Sequence, residues 1–180
     1  MKTPQVALAL FLTLLTTGCV KHYRPLSEKE ETEFNQANFA IYPDDVRRRI
    51  NRYSNQEVAW AGIILESHFV EHEEYTEAVF LVEHHYYDWI EESLPPHMWL
   101  SPRGEGKFKT SWLLQKNCEG TKQLGAPGNL LIAYGFPDHM EENAVVLKSN
   151  YIRGVQKKFF TTQMIDYGRN QNPSKGSTGR

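Results

Sequence analysis

Val58-Ala59-Trp60-Ala61-Gly62-Ile63-Ile64-Leu65 is an unbroken apolar run, and its reading decides the fold class. It is too short for a helix buried all round, and its tryptophan, valine and isoleucines favour extended backbone. It therefore predicts a strand covered on both faces. Gly62, inside the run, predicts a bulge or a sharp bend. Outward from it, Thr76 to Trp89 predicts a second strand, with Val79 and Leu81 on one face and Phe80 and Val82 on the other. Residues 58–70 and 76–88 would then pair as a hairpin closing near Glu73-Glu74. Lys107-Phe108-Lys109-Thr110-Ser111-Trp112 alternates as a half-buried strand should. Asn129 to Gly135 predicts another strand, stopped by Phe136-Pro137-Asp138, and Ala144–Ile152 and Lys158–Tyr167 predict the last two. Five to six strands and few helices predict a mainly β chain, a small antiparallel barrel that is closed or nearly so, because closure removes exposed edges. The alternative is an open α+β sheet.

Ahead of the strands, Ser27 with Glu30 three residues later has the form of a capping box. A short helix through about Ala40 is expected, with Phe34, Ala37 and Ile41 on its inner face. Pro43-Asp44-Asp45 suits a second helix start, placing Val46 and Ile50 inside and Arg47, Arg48 and Arg49 outside.

The first residues read differently. Lys2 is followed by an apolar core, Val6 to Leu15, and then by Thr16-Thr17-Gly18-Cys19. An apolar core of this length is too short to cross a bilayer, which needs roughly 20 residues, but has the length of an export signal's hydrophobic region. A cysteine directly after small residues resembles the lipobox of bacterial lipoproteins, although Thr16 stands where that pattern usually has leucine. The resemblance implies cleavage of residues 1–18, a diacylglyceryl group on the Cys19 thiol and acylation of its new amine. Several acyl chains hold a protein to a membrane stably where one does so only marginally. Residues 19–26 then read as the lipidated tether, 27–167 as a single barrel-like domain and 168–180, which lacks apolar residues able to join a core, as a disordered tail. Val20 and Lys21 after the cysteine, with no aspartate there, imply the outer membrane of a two-membrane envelope, on its periplasmic face.

With Cys19 acylated, only Cys118 remains, so no intramolecular disulfide is expected. Charge is unevenly spread. Between Tyr53 and Pro102 there are ten acids and no lysine or arginine, whereas from Lys148 onward seven basic residues face the single acid Asp166.

Trp60-Ala61-Gly62-Ile63-Ile64 resembles the Trp-Gly-Gly-x-Ile signature of the Slp family of outer-membrane lipoproteins, with Ala61 at the second glycine. Gly106-Lys107-Phe108 resembles that family's Gly-Arg-Phe, and Gly128 to Gly135 resembles its later Gly-x-x-Val-Thr-Val-x-Gly strand. The likeness runs over roughly residues 42–167. It implies an oligonucleotide/oligosaccharide-binding-like (OB-like) barrel tethered to the outer membrane, with a structural or partner-binding role in the envelope, no catalytic residues and no cofactor.

The residues themselves contain no nucleophile elbow and no phosphate-cradling glycine loop, and a non-enzymatic protein is expected. A cation- or metal-binding module on the acidic hairpin, residues 66–88, is the alternative, with His68, His72, His84 and His85 as candidate ligands. Strand geometry opposes it: residues four apart on a strand lie about 13 Å from each other, and His84 and His85 point to opposite faces. The long connection from Ile90 to Glu105 is the candidate binding loop, with Pro95, Pro96, Met98 and Trp99 as its recognition residues. In the competing reading Trp99 and Leu100 fold back to plug the barrel end. Expected partners are the membrane, through the lipid, and an envelope protein or anionic polymer facing the basic C-terminal third. Nucleic acid is not expected, because basic and aromatic residues do not interleave.

Overall fold

In the computed structural model, which describes residues 25–90, 97–102, 104–116 and 119–162, the apolar run opens a long strand, β1 (Val58–Glu71). Three short helices precede it: α1 (Glu28–Gln36), α2 (Pro43–Arg48) and α3 (Ile50–Tyr53). After it come β2 (Tyr75–His84), β3 (Tyr87–Ile90), β4 (His97–Leu100), β5 (Lys107–Gln115), α4 (Glu119–Leu124), β6 (Leu130–Glu141), β7 (Ala144–Val155) and β8 (Phe160–Thr162). Strands β1, β2, β5, β7 and β6 close in that order into a barrel. All its pairs are antiparallel except β5 with β7, which run parallel. Five strands joined in this Greek-key order are an OB-like barrel, and the open α+β sheet is excluded. The remaining strands form a small sheet of order β3-β4-β8.

Two apolar layers explain why the 58–65 run has no polar face. Val58, Trp60 and Ile64 point into the barrel with Phe80, Val82, Phe108, Leu131 and Leu147. Ile41 and Val46 join this core, with Ile50 and Tyr53 packed against it. The indole N–H of Trp60 donates to the Ile41 carbonyl at 2.8 Å. Ala59, Ala61, Leu130, Ile132 and Tyr134 point outward into a second layer, covered by Met98 and Leu100 of β4 and by Phe160 of β8. Phe34 of α1 and Ala37, just past its end, pack on that layer as expected, although the helix stops at Gln36 and does not run to about Ala40.

Several boundaries differ from the sequence expectations. Pairing passes Gly62 without a shift, and the bulge falls at Leu65, between Ile64 and Glu66. Gly62 serves close approach instead, since a Cβ there would lie 2.1 Å from the Glu83 carbonyl oxygen. The expected single strand 76–89 breaks after His84, where the chain leaves the barrel for the small sheet. Pro137 does not stop β6, which continues to Glu141 with register shifts on either side of the proline. Such irregularities are where a strand tolerates a residue without an N–H. The expected strand 158–167 is a 3₁₀ turn, Lys157–Phe159, followed by the three residues of β8, and residues from 163 onward lie outside the described range. The 90–105 connection contains β4, so it builds the outer layer and does not plug the barrel.

Helix α1 is fastened by carboxylates. The Ser27 hydroxyl accepts from the Glu30 N–H at 3.1 Å, as a cap should. Glu30 itself is fully buried, and its carboxylate accepts from the Leu26 N–H at 2.8 Å and from Arg153 and the Tyr134 hydroxyl at 3.4 Å. One turn later Glu33 meets Glu57, the residue before β1, and the Asn150 amide lies 3.3 Å from Glu33 and 3.4 Å from Glu57. Glu57 is 7% exposed. Burial, with the hydrogen bond and charge of Glu33, pushes its carboxyl up to about 7 from the ordinary 4.5, against a lowering hydrogen bond from Asn150.

This raised value sets the sign of a pH dependence. Between the two values the folded chain binds a proton that the unfolded chain has released. The contribution is therefore complete below pH 4.5 and is lost as pH rises through about 7. Denaturant titrations should show wild type losing about 1–2 kcal/mol relative to Glu57→Gln between about pH 5 and 8. Parallel profiles for the two proteins would show that no proton is held there.

Candidate interaction face

The bulge at Leu65 determines which residues of the β1–β2–β5 sheet face outward. Beyond it, Ser67 and Phe69 pair with Phe80 and Ala78 on the inward side, so Glu66, His68 and Val70 turn out. Register then aligns outward rows across three strands: Glu66–Leu81–Lys109, His68–Val79–Ser111 and Val70–Glu77–Leu113. Tyr75 and Gln115 begin the next row at the hairpin end. β2 packs chiefly on its two strand neighbours, in contrast to the outer faces of β1 and β6, which the small sheet and α1 cover. Leu113 is 64% exposed and Val70 46% exposed. Apolar side chains on a half-exposed face are ordinary singly, but a contiguous group marks an interaction surface.

The surrounding charges are mostly neutralised by one another. Lys109 bonds to Glu141 at 2.7 Å and Glu142 at 2.9 Å, and Lys122 bonds to Glu71 at 2.9 Å. These hydrogen bonds hold the Lys109 ammonium above its ordinary value and the Glu71 carboxyl below its own. Lys116 reaches the Glu73 carbonyl at 2.6 Å. Glu66, Glu77 and Glu83 remain on the face, which therefore does not attract a phosphate backbone.

The four histidines do not converge. His68 is an exposed side chain 3.9 Å from the Glu66 carboxylate, and His72 stacks on Tyr75 with its Nε2 3.7 Å from Glu77. His84 and His85 are buried at the opposite end of β2. The His84 Nδ1 accepts from the Glu105 N–H at 3.0 Å, and burial, with the charge of His85, pushes its imidazole down to about 3. His85 Nδ1–H donates to the Ser101 carbonyl at 2.7 Å. Both rings fasten the chain where it passes from the barrel to the small sheet. Among the described residues no three His, Cys, Asp or Glu side chains are placed to hold a metal ion.

Two of the recognition residues expected in the 90–105 connection, Met98 and Trp99, are described. Met98 is fully buried in the outer layer, which overturns its reading as an exposed contact. Trp99 lies on β4 between Asp88 and Thr161, with its indole nitrogen buried. Pro95, Pro96 and the lipidation candidate Cys19 lie outside the described residues. A separate surface groove of about 570 Å³ is lined by Asn55, Phe136, Asp138, Lys148 and Asn150 among others. Reading the sequence missed Val70 and Leu113 as surface residues. The alternation of Lys107, Lys109 and Ser111 extends to Leu113 and was the available signal. No family model matches this chain, and no curated protein matches it.

Proposed function

We propose that the chain is a non-enzymatic lipoprotein of Slp type, anchored through Cys19 to the periplasmic face of the outer membrane, that binds an envelope partner through the outer face of β1, β2 and β5. The observation that supports binding over catalysis is the bare, partly apolar face itself. Small-molecule and catalytic sites need concave, water-excluding walls, whereas the rows through Val79 and Val70 form an open sheet surface suited to another macromolecule. The lipobox-like Thr16-Thr17-Gly18-Cys19 supports the anchor.

One experiment tests both parts. Cells fed radioactive fatty acid should label the wild type and retain it in the outer-membrane fraction, whereas Cys19→Ser should lose the label and most of the membrane association. A photo-reactive residue at 79 should crosslink an envelope component, and the same residue at 35, exposed on α1 away from this face, should not. An unlabelled, freely soluble wild type would refute the anchor. Equal crosslinking at 79 and 35 would refute the face.

A further inference from the structure

The far edge of β5 is only partly used. β7 pairs with it over Phe108, Lys109 and Thr110, and no strand among the described residues pairs with 111–115 on that side. The register shows which backbone groups are left there. The His84 N–H donates to the Gly106 carbonyl, so in the antiparallel β2–β5 ladder the residues of β5 at even numbers bond to β2. Alternation then turns the N–H and C=O of Ser111, Leu113 and Gln115 away from β2, toward the open side. Lys109, in the same phase, spends its groups on β7.

We propose that this edge pairs with the same edge of a second copy, antiparallel, so that Leu113 lies opposite Leu113 of the other copy and Ser111 opposite Gln115. Three features favour a second copy over an unrelated strand. Ser111-Trp112-Leu113-Leu114-Gln115 carries no charge, so a two-fold axis through Leu113 brings no like charges together. Natural open edges are guarded by lysine, proline or a bulge, and none occurs between 111 and 115. The length also fits, because a strand centred on Leu113 ends opposite Thr110, where β7 takes over the edge. The symmetric contact satisfies the backbone groups of all three outward-facing residues and covers Leu113, the more exposed of the two apolar side chains in its row. Two three-stranded faces become one six-stranded sheet. Edge pairing needs neither the lipid nor an outside partner, so it stands apart from the reading above.

The test uses the chain from residue 19 onward, which keeps every described residue, with Cys19→Ser and Cys118→Ser. Sedimentation at high concentration should show the mass doubling, and Leu113→Lys should remain monomeric with an unchanged melt. For register, Leu113→Cys should oxidise to a covalent dimer, since facing Cα atoms in a hydrogen-bonded antiparallel pair lie about 5.5 Å apart, within disulfide reach. Ser111→Cys alone should not, but mixed with Gln115→Cys it should. A wild type that stays monomeric at its highest soluble concentration would overturn the proposal. So would a dimer that Leu113→Lys leaves intact, or one in which Ser111→Cys crosslinks to itself as readily as Leu113→Cys.

Discussion

Trp60→Ala should leave the chain largely unfolded near physiological temperature. The side chain is fully buried at the centre of the barrel, with its ring 5.4 Å from that of Phe108. Deleting a large aromatic from a core costs about 3–5 kcal/mol through lost burial and the cavity left behind. The same change strands the Ile41 carbonyl, which receives the indole N–H at 2.8 Å, and an unpaired buried carbonyl adds about 1–3 kcal/mol. Against a total stability of roughly 5–15 kcal/mol for a domain, that loss is most of the margin. Trp60→Phe separates the two contributions: it keeps much of the ring packing and gives up the hydrogen bond. Denaturant midpoints should fall in the order wild type, Trp60→Phe, Trp60→Ala. A Trp60→Ala protein as stable as wild type would mean that the segment around Ile41 does not close the barrel.

Arg153→Ala should be nearly as damaging, for an electrostatic reason. Glu30 is buried without solvent contact, and Arg153 is the cation paired with it, its side chain 10% exposed. Removing one member of a buried pair leaves an uncompensated charge, at about 3–5 kcal/mol. Replacing both by apolar residues of similar size is often neutral or better, so Glu30→Leu combined with Arg153→Met should recover most of the loss. Thermal melts of the two singles and the double close the cycle. A double variant as unstable as Arg153→Ala would show that packing, and not the stranded carboxylate, sets the cost. Helix α1 should loosen first in Arg153→Ala, and hydrogen exchange of residues 28–36 reads that directly.

The capping box at Ser27 and Glu30 shows how far local reading reached. Its spacing places the start of α1 correctly, because a cap is an interaction over three residues. That the Glu30 carboxylate turns inward to a guanidinium depends on a residue 123 positions away, and no local pattern carries that information. The tight packing at Gly62 is similar. A glycine inside a strand signals a special position, but whether it marks a bulge or a close approach depends on the strand that lies over it.

The candidate site divides along the same line. Alternation in β5 identifies outward positions, yet half-buried strands look alike whether a second layer covers them or not. Met98 and Leu113 are both apolar residues at strand positions; one is fully buried and the other is the most exposed apolar residue of the barrel strands. Alternation marks Leu113 as outward-facing, but nothing adjacent to either residue in sequence says whether a second layer covers it.

By itself, then, the sequence determined the class of structure: strand runs set by side-chain periodicity, helix starts set by caps, and enough covered apolar surface to favour a closed or nearly closed barrel over an open sheet. Those are properties of residues within a few positions of one another, and their free energies depend little on the rest of the chain. Tertiary structure alone decided the parallel β5–β7 closure, the placement of β4 over β1 and β6, the burial of His84 and His85 where the chain leaves the barrel, and the edge at 111–115 that no strand among the described residues pairs. Each of these follows from which distant segment reaches a given surface first, and long-range packing settles that competition where local preference leaves several answers equally good.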